Sequence, residues 1–383
     1  MKSKSAAISN APLPQSLAVR RRFGIPLFVA VIALSLFGLV MLYSASYYTA
    51  QYKYDDAFYY VKKQAVAFAI AVAVMIGLSR VPLKWVRKCQ IPLLVVSFVL
   101  MGLVFIPALG VESYGARRWL NLGFFSMQPS EIAKFAFVLS VACYADRYGL
   151  DTFRKILPPL GIGAAFCVLL LLEPNMSVTM IMLGLVLLAL YAGGAKGKYF
   201  ALLAVPIVVA VPVLVAIEPY RLQRLLAFVD PWASPKGEGY QLIQSYYALG
   251  SGGWFGVGFL HSRQKYMFLP FAESDFIFSV IGEEWGLVGA IAVMALILFV
   301  VYSGYRIASA SSNRFAALLA YGITSVIALQ SLLNVAVVTG CVPPTGVPLP
   351  FVSFGGSSLV CFAAGVGVLL SIDRINAAAH LIH

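Results

Sequence analysis

Charge is what this sequence has little of. Asp, Glu, Lys and Arg make up 11% of its 383 residues, and hydrophobic residues make up 61%. A soluble domain carries about 25% charged residues. The shortfall excludes an ordinary soluble domain and points to a polytopic membrane protein. Histidine is scarcer still. His261, His380 and His383 are the whole supply, and without HExxH or CxxC spacing they build no zinc centre. The five cysteines form no framework: Cys143, Cys167 and Cys361 fall in apolar runs, with Cys89 and Cys341 on opposite sides of them. No disulfide is expected. Basic residues outnumber acidic ones, 28 to 15. No folded basic domain presents that excess, so nucleic acid is not an expected partner.

Apolar runs are what the chain has. They predict an all-α polytopic fold with ten transmembrane helices, near 25–45, 61–79, 91–109, 130–146, 157–172, 176–193, 199–217, 276–304, 315–339 and 354–372. Several approach the ~20 residues that cross ~30 Å of hydrocarbon. The short loops on one side hold Arg20, Arg21, Arg22, Arg80, Lys84, Arg87, Lys88, Arg147, Lys196, Arg306 and Arg374. That side is cytoplasmic by the positive-inside rule, which puts both termini inside. Residues 1–24 are expected to be a disordered cytoplasmic N-terminus, 25–375 the membrane domain, and 376–383 a cytoplasmic tail. The apolar run after Arg22 is too long for a cleaved signal and reads as an uncleaved first span. The fifth span rises only about 24 Å before Glu173-Pro174. That bend is expected to lie below the outer surface and help wall a recess.

The longest outer segment, 218–275, joins the seventh and eighth helices and ends in Asp275, where a polar loop dives into the membrane. Ionisable groups at such depth face a cavity, a partner or a substrate. The plain reading is an N-cap of the eighth span. Ser279, Gly282 and Gly286 fall on the same helical face, and a small face leaves open space or admits a close-packed helix. Glu283 and Glu284 add acids beyond the needs of one cap. Within the loop, Leu222, Leu225, Leu226 and Val229 make one amphipathic stripe. Leu242, Tyr246 and Leu249 make another, before Gly250 to Gly253 break the helix and Gly256 and Gly258 keep the backbone flexible.

Basic residues on the outer side run against the topology rule: Arg117, Arg118, Arg221, Arg224, Arg263 and Lys265. Either an anionic ligand or lipid headgroups account for them. In the fourth span Pro129 starts a helix, and Glu131 and Lys134 pair at i and i+3. That pair is a salt bridge, a charged cavity wall, or both. The stretch from Pro343 to Ser358 cannot be regular helix. Its Gly355-Gly356-Ser357-Ser358 end is either a rigid connector or an anion site at a helix start.

Taken in order, Gly115 to Trp119, Gln128 to Glu131 with Lys134, Glu173-Pro174, Glu218 to Arg221, Asp230-Pro231-Trp232, Gly239-Tyr240-Gln241, Gln264-Lys265, Leu269-Pro270, Asp275 to Phe278, Gly282-Glu283-Glu284 and Pro350 to Ser358 resemble the SEDS family of bacterial wall synthesis, FtsW/RodA/SpoVE. The resemblance spans residues ~38 to 375, and Asp230-Pro231-Trp232 leans toward the FtsW and SpoVE branches. It implies ten transmembrane helices and a peptidoglycan glycosyltransferase polymerising lipid II on undecaprenyl pyrophosphate in the bacterial inner membrane, at the division septum.

Asp275 matches the family's essential acid and is expected to be the catalytic base. A divalent cation (Mg or Mn) is an optional companion at Asp275, and no other cofactor is expected. Arg117, Arg118, Glu131, Lys134, Arg221, Arg224, Lys265, Ser357 and Ser358 are the expected substrate-binding residues. A class B penicillin-binding transpeptidase, other divisome proteins and membrane lipids are the implied partners. The family often has a His-Thr pair where this chain has Glu273-Ser274; the Asp itself is retained, and what the pair contributes to its positioning is left open. A lipid II flippase and a non-catalytic divisome scaffold are the competing readings.

Overall fold

The computed structural model describes residues 23–379 apart from 114–115, 122, 124–125, 206–211 and 213–218. Residues 1–22 of the N-terminal segment and most of the seventh span lie outside the described residues, as does the side chain of Arg221. In chain order the helices are α1 Gly24–Tyr54, α2 Tyr59–Ser79, α3 Leu83–Lys88, α4 Gln90–Leu103, α5 Pro129–Tyr148, α6 Phe153–Leu172 and α7 Met176–Ala192. They continue as α8 Pro219–Val229, α9 Tyr240–Gly252, α10 Ile277–Ala310, α11 Arg314–Val338 and α12 Gly356–Ala379.

Six of these are long and apolar enough to cross a membrane, and α4 and α7 are shorter apolar helices. The last helix runs past the expected boundary at 375. The expectation of an all-α fold needs one correction. Gly110–Ser113, Ala116–Asn121 and Ser126–Met127 form a three-stranded antiparallel sheet, β1-β2-β3. With four, six and two residues, these strands are too short to show as periodic runs.

Local signals set the helix ends. Pro129 occupies the first turn of α5 and Glu131 follows it in that turn, where a missing N–H costs nothing and negative charge meets the positive end of the helix. Asn175 and Asn313 cap α7 and α11, accepting from Val178 and Ala316 N–H. In the bundle, glycines bring helices together: a Cβ on Gly322 would lie 2.3 Å from Val138, and one on Gly367 2.7 Å from the Met75 carbonyl. Close backbone approach of this kind drives packing where lipid supplies no hydrophobic force.

Helix α10 is interrupted. Gly286 has φ 65° and ψ −164°, which frees the carbonyls of Glu283 and Glu284 and the amides of Leu287 and Val288. Unsatisfied backbone groups cost several kcal/mol in a membrane. The Gly253–Gly258 segment supplies all the partners. Val257 and Gly258 N–H donate to the carbonyls of Glu283 and Glu284 at 2.9 and 3.1 Å, and Leu287 and Val288 N–H donate to those of Gly253 and Trp254 at 2.9 and 3.1 Å.

Gly256 therefore serves close approach, not flexibility: a Cβ there would sit 2.1 Å from the Glu284 carbonyl. Gly286 also leaves the helical face it was expected to share with Asp275. The small face that remains is filled by α9, since a Cβ on Gly252 would lie 2.0 Å from the Gly282 carbonyl. Ser245 of α9 shares a 2.8 Å bond with Ser279.

Gly286→Ala is expected to lower the thermal midpoint of the detergent-solubilised protein. Left-handed strain costs about 1–3 kcal/mol, and the new methyl would also press on Gly256 N at 2.4 Å. Gly250→Ala, with nothing within 4 Å of its Cβ, is expected to be neutral or to stabilise by about 0.5–1 kcal/mol.

Candidate active site

Asp275 precedes α10 without capping it. The cap position is Phe276, with no side-chain bond. The backbone around Asp275 is instead gripped by the proline-rich connector and α11. Asn334 Nδ2 donates to the carbonyls of both Asp275 and Val347, each at 2.8 Å. Ser353 Oγ donates to the Ser274 carbonyl at 2.6 Å, and Phe354 N–H to that of Glu273 at 3.0 Å. On the connector side, a Cβ on Gly346 would lie 3.1 Å from Asp275 Oδ2, so the missing side chain leaves room beside the carboxylate. The Asp275 carboxyl is pushed up to about 7, first by desolvation and then by the charge of Glu273; a Ser274 hydrogen bond and the guanidiniums of Arg118 and Arg224 act the other way. Part of the side chain stays accessible.

The connector is itself held from inside the bundle. Lys134, fully buried, pairs with Glu131 Oε1 at 2.8 Å and donates to Gln330 Oε1. Gln330 Nε2 donates to the Pro348 carbonyl at 3.0 Å. Ser358 Oγ donates to Glu131 Oε2 at 3.1 Å, and the Gln128 N–H reaches Ser357 Oγ at 3.5 Å. Gln64 of α2 donates to the Ser353 carbonyl and accepts from Gly355 N–H, both at 3.1 Å. A buried pair holds only when its remaining hydrogen bonds are met, and here they reach the loop beside Asp275. Glu131, Lys134 and Ser358 thus form one network with Gln330, and Ser357 bonds the backbone of Gln128 beside it. One amide of the expected anion site, that of Gly355, already has a partner.

The charges of two of the expected basic residues, Arg118 and Arg224, act on Asp275. Arg118 lies on β2, with Nε donating to the Glu173 carbonyl at 3.4 Å and NH2 donating to that of Pro174. Arg224 on α8 donates to the Pro344 carbonyl at 3.3 Å and faces Glu238 at 3.6 Å. Arg117 pairs in register with Glu112. Lys265 is a correction. Its ammonium is buried, 2.8 Å from Glu284 Oε1 and 3.1 Å from Ser44 Oγ. Glu283 accepts from the backbone of Arg263 at 2.8 Å and from the Ser262 hydroxyl. These acids and Lys265 fasten the loop to α10 and α1, a pairing that neither helical spacing nor composition announces.

Two further acids stand outside the expected set: Glu273, whose charge acts on Asp275, and Glu173, whose carbonyl accepts from Arg118. Burial pushes the Glu173 carboxyl up to about 8, with Arg118 opposing, and pushes that of Glu273 upward as well. Among the described residues no three His, Cys, Asp or Glu side chains converge as a metal-binding set. A divalent cation at Asp275 would have only Asp275, Glu273 and substrate phosphates to hold it.

The FtsW/RodA/SpoVE cell cycle protein model matches residues 25–378. The chain belongs to this family. The stage V sporulation protein E of Bacillus subtilis (strain 168) is 37% identical over 353 residues, 91% of this chain and 96% of that one. A probable peptidoglycan glycosyltransferase FtsW from Geobacter sp. (strain M18) is 38% identical over 360 residues, 93% and 98% of the two chains. A chain from a solved peptidoglycan synthase complex, described for structural coordination of polymerization and crosslinking, superposes with TM-score 0.77 at 28% identity over 92% of this chain and 98% of that one. RodA of Thermus thermophilus superposes at 0.68 with 25% identity, over 94% and 98%.

This FtsW/RodA/SpoVE protein is thus a multi-pass membrane protein whose buried ion pair is tied through Gln330 to the connector that holds the backbone at Asp275. Lys134→Met is expected to destabilise it by about 3–5 kcal/mol in denaturant titration, because Glu131 is left buried and unpaired. Combining it with Glu131→Leu should recover most of that loss.

Proposed function

We propose that the chain is a peptidoglycan glycosyltransferase that polymerises lipid II, with Asp275 as the general base. The observation that carries the reading is the environment of Asp275: a carboxylate under the charge of two guanidiniums, on backbone held by the connector and α11, in a chain 38% identical to a probable peptidoglycan glycosyltransferase FtsW. Ten transmembrane helices with both termini cytoplasmic, the seventh lying mostly outside the described residues, put Asp275 on the outer side. Septal wall synthesis alongside a penicillin-binding transpeptidase and other divisome proteins is the setting, since a chain of similar fold occurs in a peptidoglycan synthase complex.

In the reaction Asp275 takes the proton of the acceptor GlcNAc 4-hydroxyl as its oxygen attacks the anomeric carbon of the donor MurNAc. The bond from that carbon to undecaprenyl pyrophosphate breaks, and the electron pair leaves with the pyrophosphate. A base held near its operating pH serves such a step. Arg118 and Arg224 are placed to take the charge developing on the leaving group. A divalent cation, when present, adds positive charge on the same phosphates. The flippase reading needs a vacant polar path through the bundle. The Glu131–Lys134 pair offers none, because Gln330 and Ser358 already bond to it.

Asp275→Asn is expected to cut polymerisation by about 10²–10⁴-fold while lipid II still binds, as read by glycan formation from purified lipid II. Polymerisation at the wild-type rate would sink the base assignment. Lipid II crossing liposome membranes without polymer would favour the flippase. Only ionised Asp275 accepts a proton, so kcat/KM should climb as pH rises through about 7 and level off above it. Glu273→Gln removes a charge that raises Asp275 and should move this limb to lower pH; a limb that stays put would remove Glu273 from the account.

A further inference from the structure

Among the described residues Glu173 is the one buried carboxylate whose two oxygens both lack a hydrogen-bond partner. Its side chain is 1% exposed, in the turn that follows α6. Two residues on, Asn175 is 3% exposed. Its Oδ1 caps α7 through Val178 N–H at 3.4 Å, which leaves Nδ2 without a partner among the described residues. Ser or Asp would cap this helix as well, and neither carries a spare N–H pair. Burying such groups unsatisfied costs stability that a leucine would restore. A position that keeps this cost calls for an explanation outside the fold.

The surroundings narrow the ligand. Arg118 lies across the turn, bonded to the carbonyls of Glu173 and Pro174, and its charge also acts on Asp275. Arg118 is thus shared between this turn and the charges that act on Asp275. A carboxyl group does not suit a phosphate, which Arg118 is placed to take. It suits a hydroxyl or an amide N–H, while an Asn Nδ2 suits a hydroxyl or an acetyl carbonyl. An N-acetylhexosamine carries those groups on neighbouring ring positions. We propose that Glu173 and Asn175 form a subsite for an N-acetylhexosamine ring of the substrate, next to the pyrophosphate position at Arg118. This assignment rests on the glycosyltransferase reading and deepens it.

The test is made by binding, in the full-length Asp275→Asn protein in lipid nanodiscs, so that turnover does not interfere. Lipid II and sugar-free undecaprenyl pyrophosphate are titrated with and without Glu173→Leu. Lipid II should bind about tenfold more weakly, undecaprenyl pyrophosphate should bind unchanged, and the thermal midpoint should rise. Unchanged lipid II binding overturns the subsite. Equal weakening of both ligands overturns its assignment to the sugar.

Should Glu173→Leu fail to fold, Asn175→Ser keeps the cap and removes the spare donors. It is expected to weaken lipid II binding alone, and no weakening overturns the proposal. The base assignment is judged separately, by whether the Asp275→Asn protein makes polymer, so either conclusion can fall without the other.

Discussion

Backbone that leaves the helix inside a membrane must find every hydrogen bond within the protein, and the architecture around Asp275 depends on that constraint. It acts twice. At Gly286 the helix opens and the Gly253–Gly258 segment replaces the lost bonds one for one. Between α11 and α12 the connector runs buried through Val347, Leu349, Phe351 and Val352, none more than 4% exposed. Its carbonyls and amides are met by Gln330, Asn334, Gln64 and Glu273. The second repair bonds the backbone at Asp275, so its position is fixed by polar groups that have no other place to go.

The charges divide along the same line. Glu131–Lys134 and Glu284–Lys265 are fully buried pairs, and each fastens a non-helical segment to the bundle. Such pairs are weak sources of stability, because desolvation offsets much of their attraction. They do fix geometry, since misregister would strand a charge. Asp275, Glu273 and Glu173 are the opposite case: acids whose burial is incompletely compensated and whose carboxyls are shifted upward. Acids left uncompensated under the charge of a few cations suit chemistry better than scaffolding.

Much of the fold was legible in the sequence, for a plain reason. Apolar runs reported most helices, Pro129 and Glu131 marked the start of α5, and the i, i+3 spacing gave the Glu131–Lys134 pair. Asp275 stood out because a carboxylate at the end of a polar loop is costly. What stayed hidden depends on contacts distant in sequence. Gly286 reads as one more small residue on a helix face until its φ of 65° is known. Lys265 reads as an exposed cation until Glu284 is found against it. The short strands at 110–127 lack the length to show a period of two. Glu173 was legible as a bend, not as an unsatisfied acid, because satisfaction belongs to the packed state.

The central claim is that a carboxylate at position 275 takes the acceptor's proton. The most direct measurement replaces that carboxylate chemically. In full-length protein whose own exposed cysteines, Cys89 and Cys341, have been changed to serine, Asp275→Cys is assayed for lipid II polymerisation before and after alkylation with iodoacetate. The account predicts little polymer before alkylation and a clear recovery after it, when a carboxymethyl group restores the acid. Wild-type polymerisation by the unalkylated Asp275→Cys protein would contradict it.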